Sequence, residues 1–250
     1  MVDTHAHLGF CEPPDAELVA AAREAGVRRV LTVGIDEAGN AEAVAAAEAH
    51  EEVVACVGRH PNAAGGFDDG AAAEIEQLAA HDRVRAIGET GLDYYREGAP
   101  RDVQRAAFEA QIEIARRTEL PLVIHMRDSV EDTYELLRKA AGGVTVILHC
   151  FSAGPDDVDE AARHGWYCSF AGNVTYPRSE ELREAAERVP DDLVLVETDA
   201  PYLAPQPVRG KPNQPANVVA TAGKLAQVRG VAYEELERTV DANAARLFGW

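Results

Sequence analysis

"VDTHAHLGF", residues 2–10, decides between two parallel α/β architectures. Val2 to Thr4 reads as a buried first strand, and a doubly wound dinucleotide-binding sheet would follow such a strand with a glycine-rich turn opening a helix. The chain instead continues through His5 and His7 to Leu8, Gly9 and Phe10, with one glycine and two imidazoles. Residues two apart on a strand point the same way, so His5 and His7 face one side at the strand's end. A lone buried histidine is by default a satisfied core residue. Two on one face, each needing a partner in an apolar interior, weaken that default.

Working outward, β-rich runs recur at 27–33, 53–58, 84–88, 122–124, 144–148, 166–170 and 193–196, which makes eight with the first. Amphipathic stretches at 16–25, 41–50, 72–80, 102–118, 130–140, 157–164 and 180–188 alternate with them, and two closing helices are expected near 217–229 and 233–247. Strict alternation, with strands rich in Val, Ile and Leu, is the pattern of a parallel sheet covered by helices. Eight such units in 250 residues match the size of a closed barrel. The expected fold class is therefore α/β, a (β/α)8 TIM barrel in one domain over residues 1–250, with an open doubly wound sheet as the alternative.

The composition agrees with one core: 46% of residues are hydrophobic and no linker-like segment divides the chain. The first twenty residues carry Asp3, Glu12, Asp15 and Glu17 rather than a basic n-region and an apolar run, and no segment is long enough to span a bilayer. A cytoplasmic protein without membrane association is expected, and no protein partner can be inferred. Four cysteines (Cys11, Cys56, Cys150, Cys168) form no CxxC pair and read as free thiols, with Cys56 and Cys150 inside apolar runs that look like strands. A net charge of −19 argues against a basic nucleic-acid footprint, although a metal cluster can supply local positive charge to an anionic substrate.

The remaining polar residues fall at strand ends. Run three ends in "VGRHP" with His60, run four in "AIGETGLDYY" with Glu89, run five in "PLVIHMRDS" with His125, run six in "LHCFSAG" with His149, and run eight in "VETDAPYL" with Glu197 and Asp199. Each follows an apolar run at the C-terminal edge, where a barrel carries its active site. His50, His81 and His164 fall instead at helix C-termini, where capping is a sufficient role. Imidazoles mixed with carboxylates suit zinc, manganese or related ions, whereas magnesium prefers oxygen. Four histidines and two carboxylates exceed one tetrahedral ion and suit two ions about 3.5–4 Å apart that share a carboxylate.

In these motifs, and in the closing "NAARLFG", the chain resembles the TatD family of metal-dependent hydrolases, usually described as DNases, nearly from end to end. The resemblance implies two divalent ions (Zn, Mn or Mg), one held by His5, His7, Glu89 and Asp199 and the second by Glu89, His125 and His149, with Glu89 as the bridge. Glu197, two residues before Asp199 and roughly 6–7 Å deeper at strand rise, is better placed to orient a ligand than to be one. His60 could position a phosphate, protonate a leaving group or line the site. Tyr94, Tyr95 and Tyr202 lie beside the ligand motifs, where rings could stack on bases or pack the loops. Arg127 and Arg96 are candidate phosphate contacts. The family often carries Arg and Glu where this chain has Pro212 and Gln214; Arg209 and Lys211 lie close by.

The expected activity is hydrolysis of phosphodiester bonds, exonucleolytic on single-stranded DNA, by water activated at a two-metal centre with Asp199 as both ligand and general base. Two alternatives remain open. The same ligands suit an ester or amide hydrolase, for example a deacylase of mis-charged aminoacyl-tRNA, and a metal-loaded binding protein without turnover would need the same ions.

Overall fold

The computed structural model describes residues 1–96 and 98–250. Eight parallel strands pair in sequence order: β1 (Val2–Ala6), β2 (Arg29–Val33), β3 (Val53–Val57), β4 (Val84–Asp93), β5 (Leu122–Arg127), β6 (Val146–Leu148), β7 (Tyr167–Phe170) and β8 (Val194–Val196). Helices follow the strands: α1 (Asp15–Glu24), α2 (Glu37–Ala49), α3 (Asp69–Ala79), α4 (Arg101–Thr118), α5 (Val130–Ala140), α6 (Pro155–Arg163), α7 (Glu180–Arg188), α8 (Val218–Arg229) and α9 (Tyr233–Phe248). This is the expected TIM barrel. Closure comes from chain just beyond β8, where Ala6 and Ala200 form a parallel bridge, the His7 amide donates to the Ala200 carbonyl (2.8 Å) and the Asp199 amide donates to the His5 carbonyl (2.9 Å).

The strands are buried because both faces meet apolar side chains, the inner ones across the barrel and the outer ones beneath the helices. Leu31, Ile87, Phe108, Ile112, Phe170 and Phe248 are among the largest fully buried side chains. No helix among the described residues is long and apolar enough to cross a membrane. The four cysteines are free, and Cys150 lies just past β6 rather than inside a strand, at φ 45°.

Strand β4 runs five residues beyond the expected end at Gly88. The polar Glu89, Thr90 and Asp93 made that tail read as loop, but its backbone pairs with β5 through Gly91↔His125 and Asp93↔Arg127. Gly91 permits this approach. It has φ 138°, and a Cβ there would lie 2.1 Å from the His125 carbonyl oxygen. At the opposite extreme, β6 and β8 stop before His149 and Glu197, and Asp199 adopts φ 54°. Asp199 is therefore aimed by a turn, and strand alternation from Glu197 does not describe its direction.

Candidate metal centre

The strand ends bring six imidazole or carboxylate side chains into two adjoining groups. In the first, the Nε2 atoms of His5 and His7 are 3.3 Å apart. Glu89 Oε2 lies 3.5 Å from each, and Asp199 Oδ1 lies 3.9 Å and 3.6 Å from them. A tetrahedral ion with bonds of about 2.0–2.1 Å to imidazole holds its ligand atoms about 3.3 Å apart. These spacings fit such an ion. The His7 Nδ1–H donates to the Val33 carbonyl (2.9 Å), which leaves Nε2 with the lone pair directed at the group.

In the second group the other Glu89 oxygen, Oε1, lies 2.6 Å from His125 Nδ1 and 2.9 Å from His149 Nε2. The far nitrogens of both rings are held by carboxylates: His125 Nε2 by Asp93 Oδ2 (3.2 Å) and His149 Nδ1 by Glu197 Oε1 (3.0 Å). Glu197 also accepts from the Cys150 amide (2.8 Å), so its carboxylate ties the His149 ring to the backbone beside it. Glu197 is fully buried and touches neither His7 nor Asp199 through any hydrogen bond or ion pair among the described residues. His5 and His149 stack with centroids 3.8 Å apart, which joins the two groups.

The protonation equilibria match a cation-binding constellation. Burial alone would raise the Glu89 carboxyl, yet the field of His149, with hydrogen bonds from His125 and His149, holds it well below its ordinary value. Asp199, partly buried, is also lowered, chiefly through its hydrogen bond with His7 and the charges of His149 and His5. Burial opposes a charge on His149, but Glu89 and Glu197 on its two sides raise it well above the usual imidazole range. A positive charge is stabilised where His149 meets Glu89, which is the place a cation would serve.

His60 stands beside this pair, its Nε2 3.3 Å from His125 Nδ1 and 3.7 Å from Glu89 Oε1. Its Nδ1 accepts the Asn62 amide (3.0 Å), and burial pushes its pKa down to about 3. His60 is thus neutral, with its proton on Nε2 facing the Glu89 carboxylate.

The rim positions divide by exposure. Tyr202 is 49% exposed, with its ring centroid 6.2 Å from that of His7. Phe10, 41% exposed, stacks on the same histidine at 5.4 Å. Tyr94 is half-buried, its hydroxyl donating to Asp132 (2.6 Å) and its ring under Arg101 at 3.9 Å, while the neighbouring Tyr95 is 63% exposed. Arg127 lies over the Tyr95 ring at 4.0 Å. The Arg96 amide donates to Asp93 Oδ1, Pro212 is exposed, and Gln214 is anchored by its amide to Asn213.

Two buried acids escaped the reading of the sequence. Asp93 holds His125 and accepts from Asn62 Nδ2 (2.8 Å) and the amides of Tyr95 and Arg96. The test that selected Glu89, an acid near the end of an apolar run, selects Asp93 once β4 is extended. Asp3 accepts from the Thr198 hydroxyl (2.6 Å) and amide (2.9 Å) and from the His5 amide (3.3 Å), joining β1 to the Asp199 turn. Its signal was an acid inside a buried strand, two residues before His5.

Comparison with known proteins places this chain in a family. The model of the TatD-related DNases matches residues 2–249. A metal-dependent hydrolase TatD of Mycobacterium tuberculosis is 42% identical over 258 residues, covering 100% of this chain and 98% of that protein. A 3'-5' ssDNA/RNA exonuclease TatD of Dickeya dadantii is 36% identical over 239 residues, covering 93% of this chain and 90% of its own. Among solved structures, the TatD homologue YjjV of Escherichia coli superposes with a TM-score of 0.93 at 25% identity, over 100% of this chain and 98% of that one. Matched from end to end, this chain belongs to the TatD-related DNase family of metal-dependent hydrolases.

Proposed function

We propose that this protein is a divalent-metal-dependent phosphodiesterase that removes nucleotides from single-stranded DNA, using two ions held by His5, His7, Glu89 and Asp199 and by Glu89, His125 and His149. The observation that carries this reading is the division of the Glu89 carboxylate, with Oε2 toward His5 and His7 and Oε1 toward His125 and His149. One acid facing two imidazole pairs is the arrangement a shared ligand needs. The donor set favours zinc or manganese over magnesium.

When bound, the ions would supply the charge that acidifies a water and neutralises the scissile phosphate. The chain's own residues perform the rest. Asp199, ionised and beside His7, is the group to take the water's proton. Glu197 fixes the His149 ring through Nδ1 and so leaves Nε2 for the second ion. Neutral His60 can donate its Nε2–H to a phosphate oxygen or the leaving group without adding a cation to the site. Arg127, braced on Tyr95, is the proposed phosphate contact and Tyr202, beside His7, the proposed stacking ring, while Tyr94 steadies the loop that carries Tyr95.

The exonuclease name of the Dickeya relative supports a single-stranded substrate. The decisive assay incubates the manganese- or zinc-loaded protein with a 5'-labelled single-stranded 15-mer and, in parallel, with acylated tRNA. Products shortened one nucleotide at a time, abolished by a chelator, are expected. Deacylation of the tRNA with an intact oligonucleotide would refute the phosphodiesterase reading in favour of an acyl hydrolase.

A further inference from the structure

Acidic residues number 43 among 250, and the acid-free stretches of the chain include 161–179 and 200–233, the latter the longest. At the average acid content the second alone would carry about six. The first supplies β7 and the loop to α7, and the second supplies the long loop after Asp199 and α8.

The two loops are joined. The Tyr176 hydroxyl donates to the Ala204 carbonyl (3.1 Å), and the Gln206 amide donates to Thr175 Oγ1 (2.8 Å). Gly172 permits their contact, since a Cβ there would meet the Leu203 carbonyl oxygen at 2.0 Å. Together they make a sector of the rim that starts at Asp199 and Tyr202 and carries exposed Arg178, Arg209 and Lys211. Most arginines elsewhere are committed to carboxylates, among them Arg23 to Glu52, Arg138 to Glu160 and Arg229 to Asp191. In this sector Arg209 rests on the Tyr176 ring at 4.2 Å instead, and Arg178 and Lys211 have no carboxylate partner among the described residues. Glu180, the acid at the edge of the sector, is within 3.5 Å of Arg183.

On a surface with net charge −19, uncommitted cations in an acid-free sector leading away from a metal centre create a local path for a polyanion. We infer that the joined loops after β7 and β8 bind the sugar-phosphate backbone of a single-stranded polynucleotide several nucleotides from the cleaved bond, through Arg178, Arg209 and Lys211. This rests on the phosphodiesterase reading and adds to it a preference for polymeric over small substrates.

The test uses the metal-loaded full chain and the triple variant R178Q/R209Q/K211Q, whose substitutions are all on the surface. Binding of a fluorescein-labelled phosphorothioate oligo-dT of 15 nucleotides is followed by anisotropy across a salt titration, and turnover is measured on thymidine 5'-p-nitrophenyl phosphate, too short to reach the sector. Loss of three phosphate contacts on single-stranded DNA should lower the log–log salt slope by about 2 and raise Kd about 10–100-fold near 0.1 M salt. Turnover of the small ester should be unchanged. An unaltered Kd and slope would overturn the inference, and so would an equal loss on both substrates, because the residues would then act through the metal centre. If the unmodified protein cleaved no phosphodiester, the functional reading would fail by itself, while the binding arm would still decide whether this surface holds a strand.

Discussion

Removal of the Glu89 carboxylate should empty both metal positions together. Its two oxygens lie within 3.5 Å of four different imidazole nitrogens, two in each group. Half a negative charge shared with each of two dications amounts to one unit-charge attraction per ion. At an effective dielectric of about 20 and a separation of about 4 Å, that attraction is about 4 kcal/mol. Each 1.4 kcal/mol is tenfold in affinity, so Glu89→Ala should weaken each ion about a thousandfold. Glu89→Gln separates the two positions, since its amide keeps one oxygen and turns an NH2 toward the other group, and it should retain at most one ion. Metal content after equilibrium dialysis, with competitive chelator titration for Kd, measures both variants, and thermal melting confirms that they fold. Double occupancy in Glu89→Ala with Kd within tenfold of the parent protein would refute the bridging geometry.

Three further outcomes follow from the same contacts. Asp199→Asn keeps one oxygen but loses the proton acceptor, so turnover on single-stranded DNA should fall at least about a hundredfold even with excess metal, whereas Glu197→Gln should be restored by added metal; a metal titration of both variants that found the reverse would exchange their roles. Asp93→Ala frees the far nitrogen of His125 and should cost about 10–100-fold in affinity for the second ion, read by metal content at limiting concentration, with an unchanged value counting against the assignment. Asp3→Ala strands the Thr198 and His5 amides in the core and should cost about 1–3 kcal/mol, while Asp3→Asn, which keeps an acceptor for those amides, should cost less; urea unfolding that ranked the two in the opposite order would show that charge, and not the acceptor, matters there.

The alternation of apolar runs with amphipathic stretches determined the barrel, because each strand must be buried on both faces and each helix on one. The same short-range regularity marked His5, His7, Glu89, His125, His149 and Asp199, since each terminates an apolar run at the edge where a barrel opens. Periodicity could not supply which side chains meet between neighbouring strands. Glu89 meets His125 from 36 residues away and Asp3 meets Thr198 from 195 away, so which oxygen faces which ring was decided only when eight strands closed. Asp93 was hidden for a related reason. Its strand tail is polar, and it stays extended only because Gly91 lets the β5 backbone come close. Asp199 is aimed by a left-handed turn locked to β1, a direction that strand alternation cannot give. Composition recorded an acidic protein, and only the folded chain showed two of its acid-free segments joined beside the candidate metal centre, where hydrogen bonds between distant loops hold them.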